Sequence, residues 1–146
     1  MPRNAAVYDK DFYAWSEEQG RLLRAGELAE IDALNLAEEI ESMGRRDRHE
    51  LESRLTVLVT HLLKWQAQPD HRSPGWSGTI REQRRQIARN LRDSPSLRPV
   101  LDQALAEIYA DAREDAAEET GISEGDFALD CPFTLDEVLS RSFLPD

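Results

Sequence analysis

The amino-acid sequence predicts an all-α fold, a compact bundle of five or six helices around one long central helix at about residues 47–68. Apolar residues recur every three or four positions along most of the chain, which is the spacing of one helical face. Glycines and prolines interrupt this pattern at intervals typical of helix lengths. No stretch of strand length alternates apolar and polar residues, so no significant strand is expected.

The first two helices are expected between clear start and stop residues. Asp9 or Asp11 can cap the first helix, and Gly26 is a typical C-terminal stop. Asp32 is the expected N-cap of the second helix, and Gly44 is its expected end. The apolar face of the first helix consists of residues at steps of four and three: Tyr8, Phe12, Trp15, Gln19 and Leu22.

The third helix, at about residues 47–68, carries the broadest apolar stripe in the chain. Asp47 and Glu50 have the spacing of a capping box. Pro69 ends the helix because the residue before a proline disfavours helical backbone angles. A stripe of this width is typical of a helix that touches several neighbours at the centre of a bundle. Its main members are Leu51, Leu55, Leu58, Leu62 and Trp65.

Three further helices follow. Pro74 at a first helical position starts the fourth helix, and later prolines separate it from the fifth. Gly121 ends the fifth helix as a C-terminal glycine. Thr134 and Glu137 form a capping box that starts a short last helix at about residues 135–142. This last helix is expected to pack back on the body of the protein.

Length and composition favour a single domain over residues 1–146, with residues 1–7 as a flexible N-terminal lead. The net charge of −11 argues against wholesale attraction to nucleic acid or to anionic membranes. The one cysteine, Cys131, has no partner for an internal disulfide, and we interpret it as a packing residue. No segment has the pattern of a signal peptide or a membrane span, so a cytoplasmic protein is expected. No cofactor is expected.

Seven short segments together are similar, in order and spacing, to the bacterial "domain of unknown function 29" family over about residues 8–145. This resemblance implies a small helical bacterial protein, and it implies no activity, since none is assigned to the family. It supports the fold prediction and leaves function to be argued from the residues. The segments are residues 8–15, 35–44, 61–65, 80–84, 95–99, 119–121 and 131–134.

Histidine and glutamate positions raise the question of a metal site in the bundle. Di-iron sites in helical bundles use Glu-x-x-His motifs, and none of His49, His61 and His71 has a glutamate three residues before it. We therefore favour His61 as a histidine at the core or its boundary, bonded to a carboxylate. A mixed metal site is the alternative, and its candidate ligands are Glu38, Glu39, His61 and His71.

The segment 71–98 contains seven arginines in an otherwise acidic chain. Four of them recur at steps of four and three and share one helical face, and the planar guanidinium group suits phosphates. A nucleic-acid-binding face is therefore one interpretation. The interpretation that we favour is ion pairing with the acidic helices on either side, because the net charge opposes nucleic acid. The four residues are Arg81, Arg85, Arg89 and Arg92.

The three tryptophans, Trp15, Trp65 and Trp76, fall on apolar helical stripes, for which core packing is the simplest explanation. Trp76 follows a turn and is expected near Lys64 and His71. Lys64, Trp65 and Trp76 are therefore candidate residues of a small binding pocket.

No catalytic motif is found in the sequence, so the leading hypothesis is a non-enzymatic helical interaction or adaptor protein that binds a protein partner or forms a homodimer. Segregated charge favours this hypothesis, because acidic and basic helices pair across a subunit interface as well as within a chain. The alternatives are nucleic-acid binding by the arginine face and metal-assisted hydrolysis at the mixed metal site. No membrane partner is expected.

Overall fold

The computed structural model describes residues 5–146 of the chain, with side chains from Val7 onward. These residues form six α-helices and no strand, so the all-α prediction with a long central helix is confirmed. Short 3-10 turns lie at Pro69–His71 and Glu124–Asp126. The helices are α1 (Ala5–Lys10), α2 (Phe12–Ala25), α3 (Ala33–Ala67), α4 (Pro74–Asp93), α5 (Leu97–Thr120) and α6 (Leu135–Leu139).

The chain divides into two compact units, and the division falls within α3. The first unit runs as far as Asp47, and the second runs from Arg48 to Asp146. The single domain over residues 1–146 stays a prediction. Of the lead expected at residues 1–7, residues 1–4 lie outside the described residues, and the rest belongs to α1.

The first three predicted helices differ from the structure in two ways. The second and third predicted helices form one helix, α3, so the central helix begins at Ala33 and not at residue 47. Gly44 does not end it, because a glycine inside a helix costs only about 1 kcal/mol and Gly44 does not adopt the left-handed backbone. The first predicted helix is divided at Asp11, whose carboxylate accepts the N–H of Ala14 at 3.1 Å and so starts α2.

Helix ends that depend on a local cap agree with the sequence prediction. Gly26 and Gly121 end α2 and α5 in the left-handed conformation, with φ of 74° and 76°. Ser73 accepts the N–H of Trp76 at 3.2 Å at the start of α4. The capping box that begins at Thr134 is present at the start of α6. Each cap joins residues within four positions of one another, so local sequence determines it.

The second unit has a continuous apolar core between α3, α4, α5 and α6. Leu55, Leu58 and Leu62 of α3 are fully buried, which confirms the predicted stripe. Helix α6 ends at Leu139, three residues earlier than predicted, because the chain turns away from the helix at Ser140. Beyond it Phe143 packs on this core, and the last helix therefore docks as expected.

A buried polar network holds the first unit together. Trp15 and Leu22 are buried on α2, and Asp32, directly before α3, is only 3% exposed. The Asp32 carboxylate accepts from Trp15 Nε1 at 3.0 Å and from Asn35 Nδ2 at 2.8 Å. The Asp32 backbone N–H donates to Gln19 Oε1 at 2.8 Å. Asp32 thus precedes α3 as predicted, and its carboxylate joins α2 to α3.

A second contact joins α1 to α3 within the first unit. The Tyr8 hydroxyl donates to Glu39 Oε1, and the Tyr8 ring packs edge to face on Trp15 at 4.8 Å between ring centroids. This hydrogen bond, followed by burial and by the charge of Glu39, raises the pKa of Tyr8 to about 12. The neutral phenol is therefore the form that the folded first unit favours.

The ionisation of Tyr8 predicts a pH dependence of the first unit. Because the folded pKa lies above the ordinary value of 10.0, the contribution of Tyr8 to stability is complete below pH 10.0. It is lost as the pH rises through about 12. An ultraviolet titration of phenolate absorbance should show late ionisation whose amplitude falls by one phenol in Tyr8→Phe, while Tyr109, whose pKa is also raised by burial, still contributes. The prediction is contradicted if Tyr8→Phe loses absorbance near the ordinary pKa of 10.0 and keeps the late absorbance unchanged.

Candidate functional site

A cavity of about 330 Å³ opens in the second unit, between α4 and the segment that follows α6. Four of its lining residues are arginines, and none is a carboxylate. We call it the arginine cavity. Its lining residues are Ser77, Ile80, Arg81, Arg84, Arg85, Arg141 and Leu144.

Arg84 builds the wall between the two segments. Its side chain lies on the apolar stripe of α4, one turn after Ile80, and is only 6% exposed. Arg84 Nε donates to the Val138 carbonyl at 2.8 Å, and Nη2 donates to the Phe143 carbonyl at 2.7 Å. These two bonds hold the C-terminal segment on α4, which brings Arg141 and Leu144 to the cavity.

The third guanidinium nitrogen of Arg84 has no partner among the described residues. Nη1 has no acceptor among residues 5–146, and it is not sealed from solvent. Burial lowers the pKa of Arg84 from its ordinary value, but a guanidinium group in a protein keeps its charge. The cavity therefore holds a charged donor that the protein has oriented through two other bonds.

The remaining arginines of the cavity are only partly neutralised. Arg85 Nη1 lies 2.8 Å from Glu82 on the same helix, and both side chains are exposed. Arg81 and Arg141 form no ion pair with any residue in the described part of the chain. Because four guanidinium groups and no carboxylate line the cavity, its lining is positively charged, although the whole chain has a net charge of −11.

The four arginines of the predicted face all lie exposed on α4. The structure brings Arg81 and Arg85 to the cavity, while Arg89 and Arg92 lie further along α4 and do not line it. The interhelical ion pairs that we favoured for these four arginines do not form among residues 5–146. The single ion pair of this face joins Arg85 to Glu82 within α4. The arginine face is therefore not neutralised by the acidic helices.

Sequence reasoning missed two of the four arginines that line the cavity, Arg84 and Arg141. A signal for Arg84 exists, because it stands on the α4 stripe between Ile80 and Ile87, where an apolar residue is expected. An arginine at such a position requires buried acceptors, and these come from distant backbone. Arg141 carries no comparable signal, since it follows α6 in an exposed segment.

The structure does not bring the candidate metal ligands together. Glu38 and Glu39 belong to the first unit, whereas His61 and His71 belong to the second. Residues 5–146 contain no group of three or more His, Cys, Asp or Glu side chains that could hold a metal ion, and this holds for Glu38 as well. His61 Nδ1 lies 2.9 Å from the Val57 carbonyl, so its partner is a backbone carbonyl and not the expected carboxylate. His71 is exposed in a 3-10 turn.

The candidate pocket residues Lys64, Trp65 and Trp76 support the turn between α3 and α4. Lys64 Nζ lies 4.9 Å from the centre of the Trp76 ring and 3.6 Å from Glu119. The Arg72 guanidinium lies 5.0 Å from the Trp65 ring centre, and Arg72 Nε donates to the Trp65 carbonyl at 2.8 Å. These are contacts within the protein, and cation–π pairs of this kind stabilise a fold. Trp65 and Trp76 are half-buried, whereas Trp15 is buried as predicted.

The chemistry of Cys131 agrees with a packing role. Burial raises the pKa of the Cys131 thiol, and its Sγ contacts the Phe133 carbonyl at 3.3 Å. A raised pKa favours the thiol over the nucleophilic thiolate. Cys131 packs beside the core of the second unit and lines no part of the arginine cavity.

Comparison with known proteins shows the family of the chain. The model of a family described as "Domain of unknown function DUF29" matches residues 7–144 of the chain. Comparison with curated proteins and with solved structures yields no match. Within residues 5–146, no helix has the length and apolar character that a membrane crossing requires.

Proposed function

Since this chain belongs to the DUF29 family, whose description names no activity, we propose a function from the arginine cavity. The protein is a non-enzymatic interaction protein that binds an anionic group of its partner in this cavity. The observation that carries the proposal is a cavity lined by four arginines and no carboxylate, in a chain of net charge −11.

The energetics of the cavity favour an anion as its occupant. Like charges gathered around one space repel one another, and an acidic chain has many carboxylates with which it can neutralise such a cluster. Instead, Arg81 and Arg141 have no ion pair within residues 5–146. A phosphate or carboxylate group accepts charge-assisted hydrogen bonds from several guanidinium groups at once, and these bonds are roughly twice as strong as neutral ones. Binding thus relieves the repulsion.

The apolar lining indicates what accompanies the anionic group. Ile80 is buried at the base of the cavity wall, and Leu144 is 41% exposed. An apolar group next to the anion covers Leu144 and gains the free energy of removing that surface from water. We therefore expect a single anionic group with an apolar neighbour to bind more tightly than inorganic phosphate.

Nucleic-acid binding is the second candidate, because Arg81, Arg89 and Arg92 form no ion pairs with neighbouring helices within residues 5–146. The net charge of −11 weighs against it. A single anion in a cavity feels mainly the charges within the Debye length of about 8 Å at physiological salt. A nucleic acid extends over many Debye lengths, so the acidic surface of the protein repels it as well.

Calorimetric titration with inorganic phosphate and with phenyl phosphate tests the cavity. The variant Arg81→Gln/Arg141→Gln removes two cavity charges, and Arg89→Gln/Arg92→Gln is a matched control that removes two charges of the same face outside the cavity. We expect the cavity variant to lose at least about tenfold in affinity, since hydrogen bonds to charged groups contribute about 1.5–3 kcal/mol. We expect the control variant to bind like wild type.

Three results would count against the cavity. One is the absence of phosphate binding by the wild-type protein at low salt. Another is an equal loss of affinity in the two variants, which would indicate nonspecific attraction. The third is retention of single-stranded DNA or RNA at low salt that both variants reduce alike, since that result would favour the nucleic-acid candidate.

A further inference from the structure

The positive charge around the arginine cavity exceeds what a singly charged ligand neutralises. Four guanidinium groups line the cavity, and no lining residue is a carboxylate. Glu82 lies outside the lining and pairs with Arg85 at 2.8 Å, so it offsets one of the four charges. Arg81 and Arg141 have no ion pair within residues 5–146, and Arg84 Nη1 has no acceptor there. The cavity therefore matches a doubly charged anion better than a singly charged one.

Charge also separates the common biological anions from one another. A carboxylate and a sulfate ester each carry one negative charge, and so does each phosphodiester of a nucleic acid. A phosphate monoester carries about 1.5–2 negative charges at neutral pH and presents three acceptor oxygens. The guanidinium donors come from two sides, because α4 supplies Arg81, Arg84 and Arg85 and the segment after α6 supplies Arg141. A terminal phosphate monoester is therefore the anion that this lining favours.

The depth of Arg84 indicates which group carries the phosphate. Arg84 is only 6% exposed, whereas Leu144 is 41% exposed. A phosphate that binds Arg84 Nη1 has passed the outer edge of the cavity, so its carrier group lies beside the apolar side chains of Ile80 and Leu144. An aromatic ring in this place buries apolar area, and its face stacks on guanidinium planes. The lining thus favours a phosphate on an aromatic ring.

We infer that the arginine cavity binds the phosphate of a phosphorylated tyrosine side chain of a partner protein. This assignment rests on the proposed function, since it specifies the anionic group that the cavity takes. The four arginines bind the phosphate, while Ile80 and Leu144 contact the ring. A phospholipid headgroup is a poorer match, because a whole anionic membrane surface repels a chain of net charge −11.

Two ligands of similar shape test the preference for a doubly charged anion. Phenyl phosphate and phenyl sulfate are tetrahedral esters of the same ring, and only the phosphate ionises a second time, with a pKa of about 6. In calorimetric titrations at about pH 7.5, we expect phenyl phosphate to bind at least about tenfold more tightly than phenyl sulfate. Equal affinity of the two ligands would overturn the preference.

The pH dependence of binding gives a second readout of the same preference. Between about pH 5 and about pH 7.5 the affinity for phenyl phosphate should rise by about tenfold, because only about a tenth of this ligand is doubly charged at the lower pH. The affinity for phenyl sulfate should stay constant, since no lining side chain titrates in this range. A hydrogen bond from Gln86 lowers the pKa of the neighbouring Glu82, which keeps that carboxylate ionised. An equal rise for both ligands would contradict the expectation.

A carboxylate placed in the cavity gives a test that removes no arginine. Ser77 lines the cavity, whereas Thr79 lies two residues later on α4 and does not line it. Ser77→Asp should lower the affinity for phenyl phosphate at least about tenfold, because the new carboxylate competes for the guanidinium donors. Thr79→Asp adds the same charge to the same helix and should bind within about twofold of wild type. Equal losses, with unchanged helix content by circular dichroism, would overturn the assignment of the cavity.

Blocked amino acids identify the source of the phosphate. N-acetyl phosphotyrosine amide reproduces a residue within a chain, and N-acetyl phosphoserine amide has the same phosphate without a ring. We expect the first to bind like phenyl phosphate and the second at least about tenfold more weakly. Binding of phenyl phosphate but not of the blocked phosphotyrosine would assign the cavity to a free aryl phosphate. Binding to vesicles with phosphatidic acid that Ser77→Asp abolishes would assign it to a membrane. Either result would overturn the inference.

Two outcomes separate the phosphate preference from anion binding as such. If phenyl sulfate binds as tightly as phenyl phosphate and Arg81→Gln/Arg141→Gln weakens both, the cavity binds anions without selecting a phosphate monoester. The preference for phosphotyrosine is then wrong and the proposed function stands. If the wild-type protein binds neither ligand at low salt, both are wrong.

Discussion

Replacing Arg84 with methionine is expected to lower the free energy of unfolding of the second unit by about 3 kcal/mol. The substitution removes the bonds that Nε and Nη2 donate to the carbonyls of Val138 and Phe143. Hydrogen bonds from a charged group contribute about 1.5–3 kcal/mol each. The variant no longer has the desolvation cost of a buried guanidinium group, which offsets part of the lost stability. Chemical denaturation followed by tryptophan fluorescence measures the change.

The exposed neighbour Arg85 provides the control for this substitution. Arg85→Met removes one exposed ion pair with Glu82 and should change the free energy of unfolding by less than about 1 kcal/mol. Arg84→Met should also make the chain beyond Leu139 susceptible to proteolysis, because its anchor on α4 is lost. Equal stability of the two variants would mean that the C-terminal segment docks without Arg84.

The second large effect is expected in the first unit, where Asp32→Ala should destabilise the packing of α2 on α3 by about 2–3 kcal/mol. The substitution leaves the buried indole N–H of Trp15 and the amide of Asn35 without their acceptor. A buried donor that is left without an acceptor costs its full desolvation free energy, which is about 1–3 kcal/mol for each group. Faster hydrogen exchange of the α2 amides, with that of α5 unchanged, is the measurement.

Two further variants separate the role of the Asp32 carboxylate from a general effect of charge. Asp32→Asn keeps one acceptor oxygen and should lose less than Asp32→Ala. Glu30→Ala removes an exposed carboxylate two residues away and should change the exchange of α2 by less than about 0.5 kcal/mol. If Glu30→Ala and Asp32→Ala accelerate exchange equally, the buried network does not hold the unit.

The arginine cavity shows where prediction from the sequence reached its limit. Spacing placed Arg81 and Arg85 on one face of a helix, and both line the cavity. The arginine face was also predicted to form ion pairs with neighbouring acidic helices, and Arg81, Arg85, Arg89 and Arg92 form no such pair within residues 5–146. Whether an exposed arginine meets a carboxylate depends on how helices are rotated about their axes, and charge content alone does not determine that rotation.

Helix α3 shows a similar limit for helix boundaries. Gly26 and Gly44 look alike as C-terminal stops in the sequence, yet Gly26 ends α2 and Gly44 lies inside α3. The difference is the backbone after each glycine: the chain turns at Gly26 with φ of 74°, whereas it continues as a helix through Gly44. Glycine permits both conformations at small cost, so residues beyond the local segment decide between them.

The sequence by itself determined the helical class, the apolar stripe of α3 and the capped helix ends at Gly26, Ser73, Gly121 and Thr134. Apolar periodicity and helix caps involve residues within one or two helical turns, so residues close together in the sequence are enough to predict them. Only the tertiary structure decided that Arg84 binds the carbonyls of residues more than fifty positions away, and that Arg141 joins Arg81 around one cavity. Such contacts depend on the packing of helices against one another, which local spacing does not encode.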